Sequence, residues 1–331
     1  MLQLPQTISI IISYKCNANC DYCCFQSSPK ENLVIDKETV YSIIKHAYEI
    51  IKPRVVVFTG GEPTLFLQTL LPSISFAKSL GLPSRIVTNG WWANSLSESN
   101  DYVSEFKNAG VCELNFTTGT EHQRFIPIIK IKNAISASLE QGIKPVIVLE
   151  NDDNTDDIMH DLTHTFSDSL EDIQFSRIQK IFFMNKSNIE REDFEGNIKI
   201  KKCDSIMTAL TFTPDNLVFP CCGLPIRKMN NFSICTLAEF LKSGSSDLVN
   251  FCYSYQVSCL FTKEPLSIIN SANFRKPLDI ISQHPCDLCY ELYTKSDFFT
   301  NENTSNSKEY GEIASKLALT SFLLAKSNEN V

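Results

Sequence analysis

The chain lacks a basic segment followed by an apolar one at its N-terminus: Met1-Leu-Gln-Leu-Pro carries no positive charge. It also has no apolar run approaching the about 20 residues a membrane-spanning helix needs. Both absences argue against secretion and a membrane partner, and set the expectation of a cytoplasmic protein. Positive charge is scarce as well. Lys+Arg number 30 against 38 Asp+Glu, a net charge of −8, which argues against a general nucleic-acid binder. Hydrophobic content of 43% and charged content of 21% are ordinary for a globular chain. A length of 331 residues suits one large α/β domain and a smaller one.

What the chain has in excess is cysteine, 13 in all. In a reducing compartment such thiols bind metal more readily than they form disulfides. Cys16, Cys20 and Cys23 stand in C-x3-C-x2-C spacing, with Tyr22 before the last of them. That spacing follows neither a core-packing helix nor a strand. It fits a loop wrapped around one corner of an iron–sulfur cube, whose iron takes soft sulfur ligands. Three ligands leave one iron open to a small chelating molecule. A structural zinc site, which usually needs a second cysteine pair, and three unrelated buried thiols are the competing readings.

Along the chain, short β-branched runs alternate with amphipathic stretches. Strands are expected at Thr7–Ser13, Arg54–Phe58, Ser84–Thr88, Val111–Thr117, Pro145–Glu150 and near Ile173–Ile178. Helices are expected after an Asp36 cap, over about Thr64–Leu80, around Ser99–Ala109 and over Pro127–Gln141, with a weaker one before the sixth strand. Gly81, Gly110 and Gly142 sit where helices usually end. This rhythm implies parallel βαβ units with right-handed crossovers, in either an open sheet or a barrel. Chemistry-bearing residues follow the strands: Gly60-Gly61-Glu62-Pro63, Asn89-Gly90, Thr117, and His122 within Thr-Glu-His-Gln-Arg-Phe. Taken singly, the first two read as turns. His122 reads equally as a proton carrier or a helix-entry hydrogen bonder, and Trp91 and Trp92 as packing.

Beyond about residue 200 the rhythm breaks. Leu210–Thr213 and Leu217–Phe219 flank a Pro-Asp-Asn turn, a hairpin leading into Pro220-Cys221-Cys222. Cys203, Cys221, Cys286 and Cys289 together offer four sulfur ligands, suited to a second iron–sulfur cluster or to zinc. Cys24, Cys112, Cys235, Cys252 and Cys259 read as small buried hydrophobes. Glu312–Ala325 reads as an amphipathic helix.

The cysteine triplet with its aromatic, followed in order by the GGEP segment, resembles the signature of the radical S-adenosylmethionine (SAM) superfamily. The resemblance implies an incomplete (β/α)6 TIM-like barrel over residues 5–200, with its chemistry at the C-terminal strand ends. It implies a [4Fe–4S] cluster on Cys16, Cys20 and Cys23, with SAM as cosubstrate contacted by Tyr22, Gly60, Gly61, Glu62, Asn89 and Thr117. Residues 201–295 resemble the shortened auxiliary-cluster module called a Twitch domain, implying a second [4Fe–4S] cluster on Cys203, Cys221, Cys286 and Cys289. Residues 296–331 are left as a tail.

The Cys221-Cys222 doublet and Thr-Glu-His-Gln-Arg-Phe look like the radical SAM peptide epimerases that make epipeptides. That resemblance implies a ribosomally synthesised precursor peptide as substrate, a flavodoxin- or ferredoxin-like electron donor, and Cys222 as hydrogen-atom donor. A spare cluster ligand is the alternative for Cys222. The start of the chain close to its first strand sets the expectation that no N-terminal leader-binding domain is present. A maturase forming thioether or carbon–carbon cross-links, and a non-enzymatic iron–sulfur carrier or scaffold, are the rival readings of the whole chain.

Overall fold

The computed structural model describes residues 5–179, 208–222, 227, 232–252, 286 and 289–290. Cys203, Cys259, most of the stretch beyond Cys252 and the helix expected at Glu312–Ala325 lie outside the described residues.

Strands β1 (Thr7–Ile11), β2 (Val55–Thr59), β3 (Ser84–Thr88), β4 (Val111–Thr118), β5 (Lys144–Asn151) and β6 (Gln174–Gln179) pair in parallel, each with the next. Helices α1 (Lys37–Ile50), α2 (Leu67–Ser79), α3 (Leu96–Ala109), α4 (Thr120–Gln123), α5 (Ile128–Gln141) and α6 (Thr155–Thr165) alternate with them. This is the mostly parallel α/β arrangement expected of a partial barrel. The Asp36 carboxylate caps α1 by accepting the Thr39 N–H at 2.8 Å. Val40, Ile43, Ile44 and Ala47 then repeat at the helical period and are buried. Gly110 and Gly142 end α3 and α5 in left-handed conformation, a shape that costs glycine little.

Two boundaries differ from expectation for visible reasons. The helix expected from Thr64 is a 3-10 turn at Pro63–Phe66 followed by α2, because the Glu62 side chain caps Thr64 and not a later residue. The α3 helix begins three residues early because Ser95, followed by Glu98, supplies its cap.

Beyond β1 the sheet continues. β7 (Ala209–Phe212) pairs with β1 in parallel, and β8 (Leu217–Phe219) and β9 (Cys235–Thr236) follow antiparallel. The sheet order is β6-β5-β4-β3-β2-β1-β7-β8-β9. The hairpin therefore extends the edge that feeds the cysteine loop. Two short helices, α7 (Leu237–Phe240) and α8 (Ser245–Cys252), come after it.

Alternation sorts the two faces. Ile8, Ile10, Val56, Phe58, Ile86, Leu114 and Phe116 are fully buried in one core with the apolar faces of the helices. The opposite face carries a row set by register: Thr211, Ser9, Val57, Arg85 and Glu113. Arg85 and Glu113 form an ion pair there at 2.6 Å, and Asn115 donates to the same carboxylate at 2.8 Å.

Candidate functional site

The β1 strand delivers the chain into the cysteine loop, which is held by its own backbone. Cys16 N donates to Ser28 O at 3.1 Å, and Ser13 bridges to Val34. Cys16, Cys20 and the half-buried Cys23 gather with Ala18 and Phe125 in a small apolar group apart from the main core. Donors already point at the sulfurs: Ala18 N at 3.4 Å and Asn89 Nδ2 at 3.7 Å from Cys16, and Ser27 N at 3.3 Å from Cys23. Burial pushes the Cys16 thiol up to about 12, with the Glu62 carboxylate adding to it. Cys20 is raised by burial first, then by Cys23, Cys16, Glu150 and Glu121.

Three thiols crowded in this way ionise together only beside a cation, and a metal deprotonates a coordinating thiol outright. Among the described residues no three His, Cys, Asp or Glu side chains converge on a single ion. Three gathered thiols with N–H donors on their sulfurs are the soft donor set that suits an iron–sulfur cluster.

The GGEP segment lies against this loop. Gly61 N donates to Ser13 O at 2.8 Å and Glu62 N to Lys15 O at 2.9 Å. A Cβ on Gly61 would meet Lys15 O at 2.2 Å, and one on Gly60, at φ +139, would meet Ser13 O at 2.4 Å. The close approach that requires glycine here is to the chain's own backbone. Glu62 is fully buried. Its Oε1 accepts from Thr64 N at 3.1 Å, Thr64 Oγ1 at 2.6 Å and Thr88 Oγ1 at 2.8 Å, while Oε2 accepts from Asn89 N at 2.7 Å. Burial raises its pKa, and these donors pull the other way. Glu62 therefore knots the ends of β2 and β3 together.

Asn89 completes the knot. Besides its contact with Cys16, its Nδ2 donates to Asn17 Oδ1 at 2.9 Å, and its Oδ1 accepts from Trp91 N at 3.0 Å. The structure thus brings Cys16, Gly61, Glu62 and Asn89 into one constellation. Tyr22 is half-buried in the loop, and Thr117 is half-buried near the end of β4. Trp92 packs in the core on Tyr102 and Phe106.

His122 has a partner the sequence did not single out. Its Nδ1 is hydrogen-bonded to Glu150 Oε1, at the end of β5. Glu121, Arg124 and Asp21 join the same network.

Cys221, just after the hairpin, is buried; Cys289 is also buried, and Cys286 is half-buried. Cys222 is solvent-exposed, yet the protein crowding it desolvates the thiol and raises its pKa, an effect Arg85 partly offsets. A thiolate on Cys222 in turn raises the pKa of Cys24, after burial and Cys23. Arg85, on the row facing away from the helices, and Cys24 of the cysteine loop thus both bear electrostatically on Cys222. The hairpin is tied to that loop from outside as well. Tyr14 donates to Asp215 at 3.1 Å, and Arg227 lies over the Tyr14 ring at 4.6 Å and pairs with Glu31 at 2.9 Å.

Over 305 residues, 88% of this chain and 93% of its relative, the chain is 24% identical to the putative peptide biosynthesis protein YydG of Bacillus subtilis (strain 168). It is 28% identical over 201 residues to the probable GTP 3',8-cyclase of Archaeoglobus fulgidus, covering 53% of this chain and 63% of the cyclase, under two thirds of that protein's length. The fold is similar to that of native anSMEcpe with bound AdoMet, with a TM-score of 0.53 at 13% identity over 98% of this chain and 100% of that one. Residues 10–162 match the Radical SAM superfamily. They are a radical SAM domain.

Proposed function

We propose that the chain is a radical SAM peptide epimerase, converting L-residues of a ribosomally synthesised peptide to D-residues. The observation that carries the reading is the exposed thiol of Cys222, which follows the buried Cys221 just after a hairpin joined to the same β1 edge that leads into the cysteine loop. Similarity to a putative peptide biosynthesis protein over 88% of the chain supports the substrate class.

Cys16, Cys20 and Cys23 would hold a [4Fe–4S] cluster, which would supply the electron for reductive cleavage of bound SAM. Asn89, Thr117, Tyr22 and the Gly60-Gly61-Glu62 backbone would bound the SAM site. The chain's own contribution to inversion is a hydrogen donor on the second face. The Cα–H bond breaks toward 5′-deoxyadenosine. The Cys222 S–H bond then breaks as a new Cα–H bond forms on the opposite side. The sulfur is left one electron and one proton short. An auxiliary cluster on Cys203, Cys221, Cys286 and Cys289, in a Twitch-like second domain, with a flavodoxin- or ferredoxin-like donor behind it, would restore the electron, and solvent the proton. Such thiols and clusters belong in the reducing cytoplasm.

A Cys222→Ala variant tests the reading. It is expected to keep releasing 5′-deoxyadenosine from SAM while forming no D-residues. D-residues from the variant would sink it, and a peptide lighter by two hydrogens from the parent would move the assignment to a cross-linking maturase.

A further inference from the structure

The segment after β4 holds a set of charged contacts that neither the superfamily motifs nor the hydrogen return employs. Glu150, at the end of β5, is buried. Its Oε2 accepts the Glu121 N–H at 2.8 Å and its Oε1 meets His122 Nδ1. These contacts hold α4 so that the Glu121 side chain, itself buried, reaches the cysteine loop, where Oε1 accepts the Asp21 N–H at 2.7 Å. Arg124 Nη1 contacts both Glu121 oxygens at 2.8 Å and Asp21 Oδ2 at 3.1 Å. Its guanidinium lies 5.4 Å from the centre of the Phe125 ring, which closes the apolar group around Cys16, Ala18 and Cys20.

Asp21 directly follows Cys20, and regular structure holds neither residue. A carboxylate accepting a backbone N–H makes a strong, short contact, so Glu121 fixes the path of the loop at its middle cysteine. Its charge matters separately. Nearby net charge is one of the factors that set an iron–sulfur potential, and a carboxylate beside the cluster disfavours taking up an electron.

We propose that Glu121 is a positioning residue for the cluster on Cys16, Cys20 and Cys23. Through Asp21 N–H it fixes the loop, and through its charge, balanced by Arg124, it sets the cluster's reduction potential. The inference rests on those three cysteines binding the cluster and is independent of the epimerase reading.

The test uses full-length protein loaded with iron and sulfide, titrated with dithionite under electron paramagnetic resonance and without peptide. The signal that changes on adding SAM identifies the cluster. Glu121→Gln keeps an oxygen for Asp21 N–H but drops the charge, so iron content should match the parent while the midpoint moves positive. Arg124→Gln leaves the carboxylate unbalanced and should move the midpoint negative. Glu121→Ala removes acceptor and charge together and should lower iron content at unchanged circular dichroism. Shifts of opposite sign are not expected from a merely structural role. Midpoints that stay put or move the same way in the two glutamine variants would overturn the proposal, as would a parent that binds no iron. With no peptide present, none of these results bears on Cys222.

Discussion

Two segments reach the cysteine loop from the strand ends, one after β2 and one after β4, and each uses a carboxylate differently. Glu62 is fully buried, and its four donors, two backbone N–H groups and two hydroxyls, are all neutral. Glu121 is buried as well, but it has a counter-charge in Arg124, whose side chain is about half exposed. A buried anion without a counter-charge depends on every donor staying in place. An anion with a counter-charge within reach depends less on any single neutral donor. The first segment should therefore govern whether the loop forms, and the second how the bound cluster behaves.

The comparison breaks most sharply at the glycines. Gly61→Ala sets a Cβ against the Lys15 backbone, which cannot swing aside. It should cost about 3 kcal/mol of stability, read from urea unfolding, and leave little iron bound. Glu62→Gln turns an NH2 toward donors whichever way the amide lies. That should cost about 2–3 kcal/mol, with the unfolding midpoint falling and Glu121→Gln hardly moving it. Equal losses in the two glutamine variants would erase the contrast. Gly119→Ala, at φ +154, meets Glu150 Oε2 at 2.4 Å and Glu150 Cβ at 2.5 Å, and that Cβ moves only with the backbone of β5. About 2 kcal/mol and a moved His122 ring resonance by NMR, reporting the displaced Glu150 partner, are expected. Tyr14→Phe removes the hydroxyl's contacts to Asp215 and Thr213 and should cost about 1 kcal/mol, a useful lower limit on the scale.

Much of this was legible in the residues. The strands at Ser84–Thr88 and Leu217–Phe219 fall where β-branched runs put them, and Asp36, Gly110 and Gly142 end helices as their chemistry requires. The GGEP glycines were legible as a turn and, by resemblance, as a SAM contact, but not as an approach to Ser13 and Lys15. The Glu150–His122 pair was not legible, because the two residues are 28 apart and meet only through the register of β4 on β5. Tyr14 and Asp215, 201 apart, depend likewise on β7 joining the β1 edge. Periodicity reports a residue's face, while the partner across that face comes from strand order.

The central claim is that a thiol on the second face of the substrate returns the hydrogen. Its most direct measurement is mass spectrometry with chiral amino-acid analysis of a candidate precursor peptide, treated in deuterated water with reduced, cluster-loaded parent protein and SAM. One deuteron at Cα of each D-residue is the result the account predicts. D-residues carrying only protium at Cα would contradict it, because the returning atom would then have come from a non-exchangeable C–H bond and not from the thiol of Cys222.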